Sequence, residues 1–120
     1  MAKITGIGGV FYKVEDPAAT RAWYKEHLGL DAGEYGCNFK AGSDPEAITV
    51  WNPFAATTDY FAPSDKPFMI NFRVDDLDGM VADLKAKGQL LEGEPLDESY
   101  GKFAWIIDPD GVKIELWQPK

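Results

Sequence analysis

The sequence predicts an α+β fold made of two tandem strand–helix–strand–strand–strand modules. Three observations carry this reading. Val10-Phe11-Tyr12-Lys13-Val14-Glu15-Asp16 returns later in the chain as Ile70-Asn71-Phe72-Arg73-Val74-Asp75-Asp76. Ile48-Thr49-Val50-Trp51-Asn52-Pro53 returns as Ile114-Glu115-Leu116-Trp117-Gln118-Pro119. Each opening strand is also followed by an Asp and then by a helical stretch that ends at a glycine, Gly29 in one half and Gly88 in the other. Two copies of one supersecondary unit, each too small to bury its own apolar face, must pack on each other. The concave surface between them is a natural place for a ligand.

Residues 4–14 read as a strand with a glycine-rich start, in which Val10, Tyr12 and Val14 alternate with Gly9, Phe11 and Lys13. Asp16 is placed to cap a helix and Pro17 suits its first position. That helix runs to about Leu28, with Ala19, Ala22, Trp23 and Leu28 as expected core contacts, and Gly29 stops it. Residues 35–41 and 47–52 read as strands joined through Ser43-Asp44-Pro45. A connector, residues 54–66, holds Phe54, Tyr60 and Phe61, and a connector of this length is more often functional or interfacial than idle. Residues 68–74 form the next strand. Asp76 caps a helix over 77–87 whose Leu77, Met80, Val81 and Leu84 share one face, ended by Gly88. A strand near 89–92 and an acidic loop to Ser99 follow. Strands 102–107 and 112–118 close the chain around Asp108-Pro109-Asp110-Gly111, a strong turn signal. The modules span about 4–53 and 67–119 of one domain, 1–120.

Composition narrows the function. At 45% hydrophobic and 13% aromatic residues the chain is not disordered, and its four Trp, five Tyr and seven Phe can build a core and still line a pocket. A net charge of −8 argues against nucleic acid, which needs a basic stripe, and against anionic membrane surfaces. The single cysteine, Cys37, excludes an intrachain disulfide and fits a reducing cytoplasm. No signal-peptide run and no membrane-length apolar stretch is visible.

The order of these motifs resembles the vicinal oxygen chelate superfamily of glyoxalases, bleomycin resistance proteins and extradiol dioxygenases. The resemblance rests on Asp16-Pro17, on Ala22-Trp23-Tyr24-Lys25-Glu26-His27-Leu28-Gly29-Leu30, on Phe72-Arg73-Val74-Asp75-Asp76-Leu77-Asp78, and on Asp108-Pro109-Asp110-Gly111-Val112-Lys113-Ile114-Glu115-Leu116. It implies a U-shaped sheet around a cup, with helices outside. It also implies a metal in the cup of the enzymes, held by His or Gln and Glu side chains that leave positions open for two substrate oxygens. Carried onto this chain, the ligand positions fall at Gly9, Thr49, Met69 and Glu115. Only Glu115 is a ligand for the metals this chemistry uses, so no metal cofactor is expected.

In the implied cup, Phe11, Trp51, Trp105 and Trp117 share one alternation phase, joined by Phe39 and Phe103. Met69, Asn71 and Arg73 alternate inward on their strand. Glu115 reads either as a general base or ligand anchor, or as a relic carboxylate paired with Lys13, Arg73 or Lys113. Arg73 and Lys13 sit at equivalent positions and read either as anion-binding donors or as solvated strand-end charges. The aromatic set reads as pocket lining or as core, and Asn71 as a ligand contact or a satisfied structural amide. His27 reads as a helix C-terminal residue and Cys37 as an inert thiol. Tyr60, Phe61 and Tyr100 read as cup lids or as contacts to a second chain.

The expected function is metal-free binding of a small aromatic or amphipathic molecule in the cup. The alternative is an enzyme of lyase, isomerase or dioxygenase type that uses Glu115 as base or an atypical metal site. A cytoplasmic homodimer with a small-molecule ligand, and with no nucleic-acid or membrane partner, is expected.

Overall fold

The computed structural model describes residues 2–28, 31–40, 48–108 and 111–120, without side chains at 23, 24 and 26–28. Strand β1 is Ile4–Val14, helix α1 Pro17–Leu28, strand β2 Cys37–Lys40 and strand β3 Ile48–Ala55. The second half gives β4 Phe68–Val74, α2 Leu77–Ala86, β5 Leu96–Glu98, β6 Gly101–Ile107 and β7 Lys113–Pro119. The expected side-chain contacts of Trp23 and Leu28, the stop at Gly29, and the Ser43-Asp44-Pro45 connection lie outside the described residues.

Helix starts follow the capping logic. Asp16 Oδ1 accepts from Ala19 N–H at 3.0 Å and Asp76 Oδ1 from Gly79 N–H at 3.1 Å. Gly88, with φ +79°, takes the left-handed conformation just past α2. The closing turn is held by Asp108 Oδ1, which accepts from Val112 N–H at 2.9 Å.

All strands described join one sheet in the order β2-β3-β1-β4-β7-β6-β5. The central pair, β1 and β4, is antiparallel, and Val10 faces Ile70. These two are repeat partners in the sequence, so an approximate twofold axis passes between them. On either side β1 pairs with β3 in parallel and β4 with β7 in parallel. The modules therefore meet within one chain.

The strand expected near 89–92 is not formed. The second strand of module two is Leu96–Glu98, inside the expected acidic loop, where Leu96 pairs with Phe103 across a tight turn. It is an edge strand, and an edge tolerates charged residues such as Asp97 and Glu98. In the described part of module one its counterpart is reduced to a single antiparallel bridge, Gly33 with Gly36.

The sheet separates two apolar clusters. Val74, Leu77, Ala104 and Leu116 pack with Met80, Val81 and Leu84 beneath α2, on the face that periodicity assigns to that helix. Phe11, Phe61, Met69 and Trp105 form the other, on the opposite face. Helix α1 meets the sheet chiefly at β3. Ala19 and Ala22, expected in the core, are exposed, and Thr20 and Arg21 are half-buried instead. Among the described residues no helix is long and apolar enough to cross a membrane.

Candidate functional site

The concave face of the sheet encloses a cavity of about 600 Å³. One wall comes from module one, with Phe11, Val50, Asn52 and Phe54. The other comes from module two, with Asn71, Phe103, Trp105, Glu115 and Trp117. Tyr60 reaches in from the connector, and the exposed Tyr35, Leu96 and Tyr100 stand at the mouth.

Glu115 is the carboxylate of this cavity and is 4% exposed. Parallel pairing of β4 with β7 sets Asn71 beside it, and antiparallel pairing of β6 with β7 sets Trp105 on its other side. Asn71 Nδ2 donates to Oε1 at 2.6 Å. Trp105 Nε1 donates to Oε2 at 2.9 Å, and the Tyr60 hydroxyl donates to the same oxygen at 2.5 Å. A buried carboxylate is tolerable only with such partners. Burial first, and then the negative charge of Glu115, push the Tyr60 phenol well above its usual range, so it stays protonated and donating.

Lys113 completes the arrangement from behind. Its Nζ lies 5.3 Å from the centre of the Tyr60 ring and 5.8 Å from that of Trp105, and it donates to the Tyr60 carbonyl at 2.7 Å. A cation over each ring face strengthens the O–H and N–H donors at the ring edges that hold Glu115. Burial holds the Lys113 ammonium below the usual lysine range, an effect partly offset by the charge of Glu115.

The glycine-rich start of β1 makes room for two inward side chains of β4. A Cβ on Gly8 would lie 1.7 Å from Asn71 Oδ1, and one on Gly6 would lie 2.5 Å from Arg73 Nη2. Asn71 is thereby 2% exposed and held close against β1.

Phe11, Asn71, Trp105, Glu115 and Trp117 thus come together, and Phe103 joins them. Three other expected site residues do not. Trp51 lies on the far face of β3, packed on Tyr12 with ring centres 6.3 Å apart, because Val50 and Asn52 take the cavity face. Met69 is fully buried in the core cluster with Phe61 and Trp105. Arg73 Nη1 donates to the carbonyls of Ile7, at 2.8 Å, and of Ile48, tying β1 to β3 rather than facing the cavity. Of the aromatic candidates expected in loops, Phe61 is 1% exposed in the core, and Phe39, expected in the cup lining, stands exposed on edge strand β2. Cys37 is buried on that strand, and the His27 side chain lies outside the described residues. Asn52, Tyr35 and Leu96 were not singled out from the sequence. Asn52 was legible as the alternation partner of Val50.

A sequence profile of the Glyoxalase/Bleomycin resistance protein/Dioxygenase superfamily matches residues 6–116. The chain belongs to this superfamily. Among solved structures of the vicinal oxygen chelate fold, methylmalonyl-CoA epimerase from Streptomyces coelicolor, in complex with 2-nitronate-propionyl-CoA, superposes with a TM-score of 0.73 at 21% identity, over 98% of this chain and 99% of that one. The Mycobacterium tuberculosis methylmalonyl-CoA epimerase gives 0.66 at 22% identity, over 98% and 89%. A glyoxalase/bleomycin resistance protein/dioxygenase superfamily member from Vibrio splendidus 12B01 gives 0.59 at 12% identity, over 98% and 99%. No curated protein matches the chain in sequence.

Within the superfamily frame, the sheet register corrects one expected ligand position. Glu115 pairs with Asn71 and, across the twofold, Asn52 pairs with Phe11, so the counterpart of Glu115 is Asn52 rather than Thr49. The implied metal positions are then Gly9, Asn52, Met69 and Glu115. This set does not fit a divalent ion. Glycine offers no side chain, a thioether is a poor partner for such ions, and Glu115 already accepts from three neutral donors. Among the described residues, no group of three His, Cys, Asp or Glu converges anywhere.

Proposed function

We propose that the chain is a metal-free binding member of the superfamily, taking a flat aromatic or amphipathic molecule into the cup. One observation carries the reading: a cavity of about 600 Å³, walled by Phe11, Phe103, Trp105 and Trp117, holds one buried carboxylate at its polar end. Cavities of this size suit small organic molecules, in which apolar walls supply burial and a few polar groups supply orientation. Native mass spectrometry of the purified protein, with elemental analysis on the same sample, tests it. A retained organic mass with well under one metal per chain is expected. One tightly held transition metal per chain sinks the metal-free part.

A second reading is proton transfer by Glu115, as in an isomerase or lyase. The 2.5 Å Tyr60–Glu115 hydrogen bond favours it, since a protonated phenol that holds the carboxylate in place inside a cavity orients a candidate base. Methylmalonyl-CoA epimerases share the fold, which makes acyl thioesters reasonable compounds to assay. Turnover of such a compound, lost in Glu115→Gln, is the deciding result.

We further propose that the chain is a cytoplasmic homodimer. Ile7, Val10 and Leu90 are exposed apolar side chains that a second copy would cover. Light scattering at micromolar concentration checks this, and a monomer mass contradicts it.

A further inference from the structure

The polar groups left over in the cup are acceptors. A carboxylate offers about four acceptor directions, and Glu115 uses three of them, with Oε1 taking only Asn71 Nδ2. Asn52 Oδ1 and Asn71 Oδ1 are buried without a hydrogen-bond partner among the described residues, and both residues line the cavity. Asn71 Oδ1 is packed against Gly8, which leaves Asn52 Oδ1 as the second acceptor for a ligand. One buried donor is also left over, Trp117 Nε1, and it is packed against Gly101.

Positive charge is missing from the same surface. No Lys, Arg or His lines the cavity among the described residues. Arg73 and Lys113 are committed elsewhere: Arg73 to strand carbonyls, and Lys113 behind the Tyr60 and Trp105 rings. The donors that touch Glu115 are all neutral, and Lys113 acts on it only through space from behind those two rings, so its charge is reduced but not paired. The near-parallel rings of Phe103, Trp105 and Trp117, tilted by 12° and 3° between neighbours, add π faces, which attract cations and repel anions.

We propose that the occupant of the cup is a flat cation: a planar ring system bearing a protonated nitrogen with at least one N–H. The nitrogen donates to Glu115 and to the Asn52 side-chain oxygen, and the rings lie against the aromatic wall. This rests on the reading of the cup as a small-molecule site. It separates this chain from binders of carboxylates, phosphates and coenzyme A esters, whose charge would meet Glu115 with no cation among the described lining residues to receive it.

Three flat probes of similar shape test the charge preference by calorimetry on the full chain at neutral pH. They are 9-aminoacridine (cation), 9-anthracenemethanol (neutral) and anthracene-9-carboxylate (anion). The cation is expected to bind about 10-fold or more tightly than the alcohol, as a charge-assisted hydrogen bond to a buried carboxylate provides, with the anion weakest. Glu115→Gln should bring the cation down to the affinity of the alcohol. Asn52→Asp, which leaves the bonds of Glu115 intact, should widen the gap and serves if the first variant fails to fold. An anion that binds as well as the cation, or a ranking that ignores both substitutions, overturns the charge preference and leaves the cup reading standing. If none of the three probes binds, the cup is not the site and both fall together.

Discussion

The Tyr60 phenol donates to Glu115 Oε2 at 2.5 Å across 55 residues of chain. The environment of the carboxylate is therefore shared between β7 and the connector that joins the modules. Neither module alone can build it.

Tyr60→Phe should cost about 1–2 kcal/mol of stability, the range for a partly exposed hydrogen bond to a charged acceptor. It should also change the alkaline limb. The folded phenol titrates above the unfolded one, so its contribution is complete below about pH 10 and fades as pH rises further. Urea titrations at pH 8 and above pH 10 should show a wild-type loss of up to about 1.4 kcal/mol per pH unit from this one proton. The variant should lack that component, and identical slopes would contradict the assignment.

Glu115→Gln distinguishes the two functional readings. A neutral flat ligand should keep most of its affinity in the variant, whereas an enzyme using Glu115 as base should lose turnover by about 100-fold or more. Calorimetry and a steady-state assay on the same preparation give both answers.

Trp117→Ala removes an aromatic wall and should weaken binding of a flat ligand by about 1–3 kcal/mol through lost burial. Unchanged affinity, together with sensitivity to changes on the outer face of α2, would move the site out of the cup.

Gly8→Ala drives a methyl group into Asn71 Oδ1. It should destabilise the fold by about 2 kcal/mol or more, as overpacking and displacement of the Glu115 partner combine. Shortening the partner as well, in Gly8→Ala/Asn71→Ala, should recover part of the loss. Additive losses in the double variant would break the link between the two residues.

Arg73→Met should lower stability by about 3 kcal/mol, since it strands the carbonyls of Ile7 and Ile48, while leaving ligand affinity unchanged. A selective loss of affinity would restore Arg73 to the binding surface.

Much of the fold was legible because its signals are local. Asp16 and Asp76 cap helices through their own following turns, and the Leu77-Met80-Val81-Leu84 stripe needs only the helical period. Trp105 was legible by alternation, and Glu115 through the resemblance to the superfamily. The errors are those of register. The Thr49–Glu115 repeat is real in sequence, but β3 pairs Asn52 with Phe11, so the phase slips and Trp51 turns outward. The β1 glycines gave no sign that they shelter Asn71 and Arg73, because that contact depends on the β1–β4 register and its bulges. Arg73 looked available because sequence cannot tell a guanidinium spent on carbonyls from one aimed at a ligand.

Val10 facing Ile70 means that the twofold axis runs through the floor of the cup, so each half offers matching positions to whatever enters. The matching residues are not alike. Phe11 answers Asn71, and Asn52 answers Glu115. A molecule with two identical ends would meet mostly hydrocarbon on one side and a carboxylate with its amide on the other. Its ends would cease to be equivalent on entry. The scaffold is symmetrical, yet it can tell left from right.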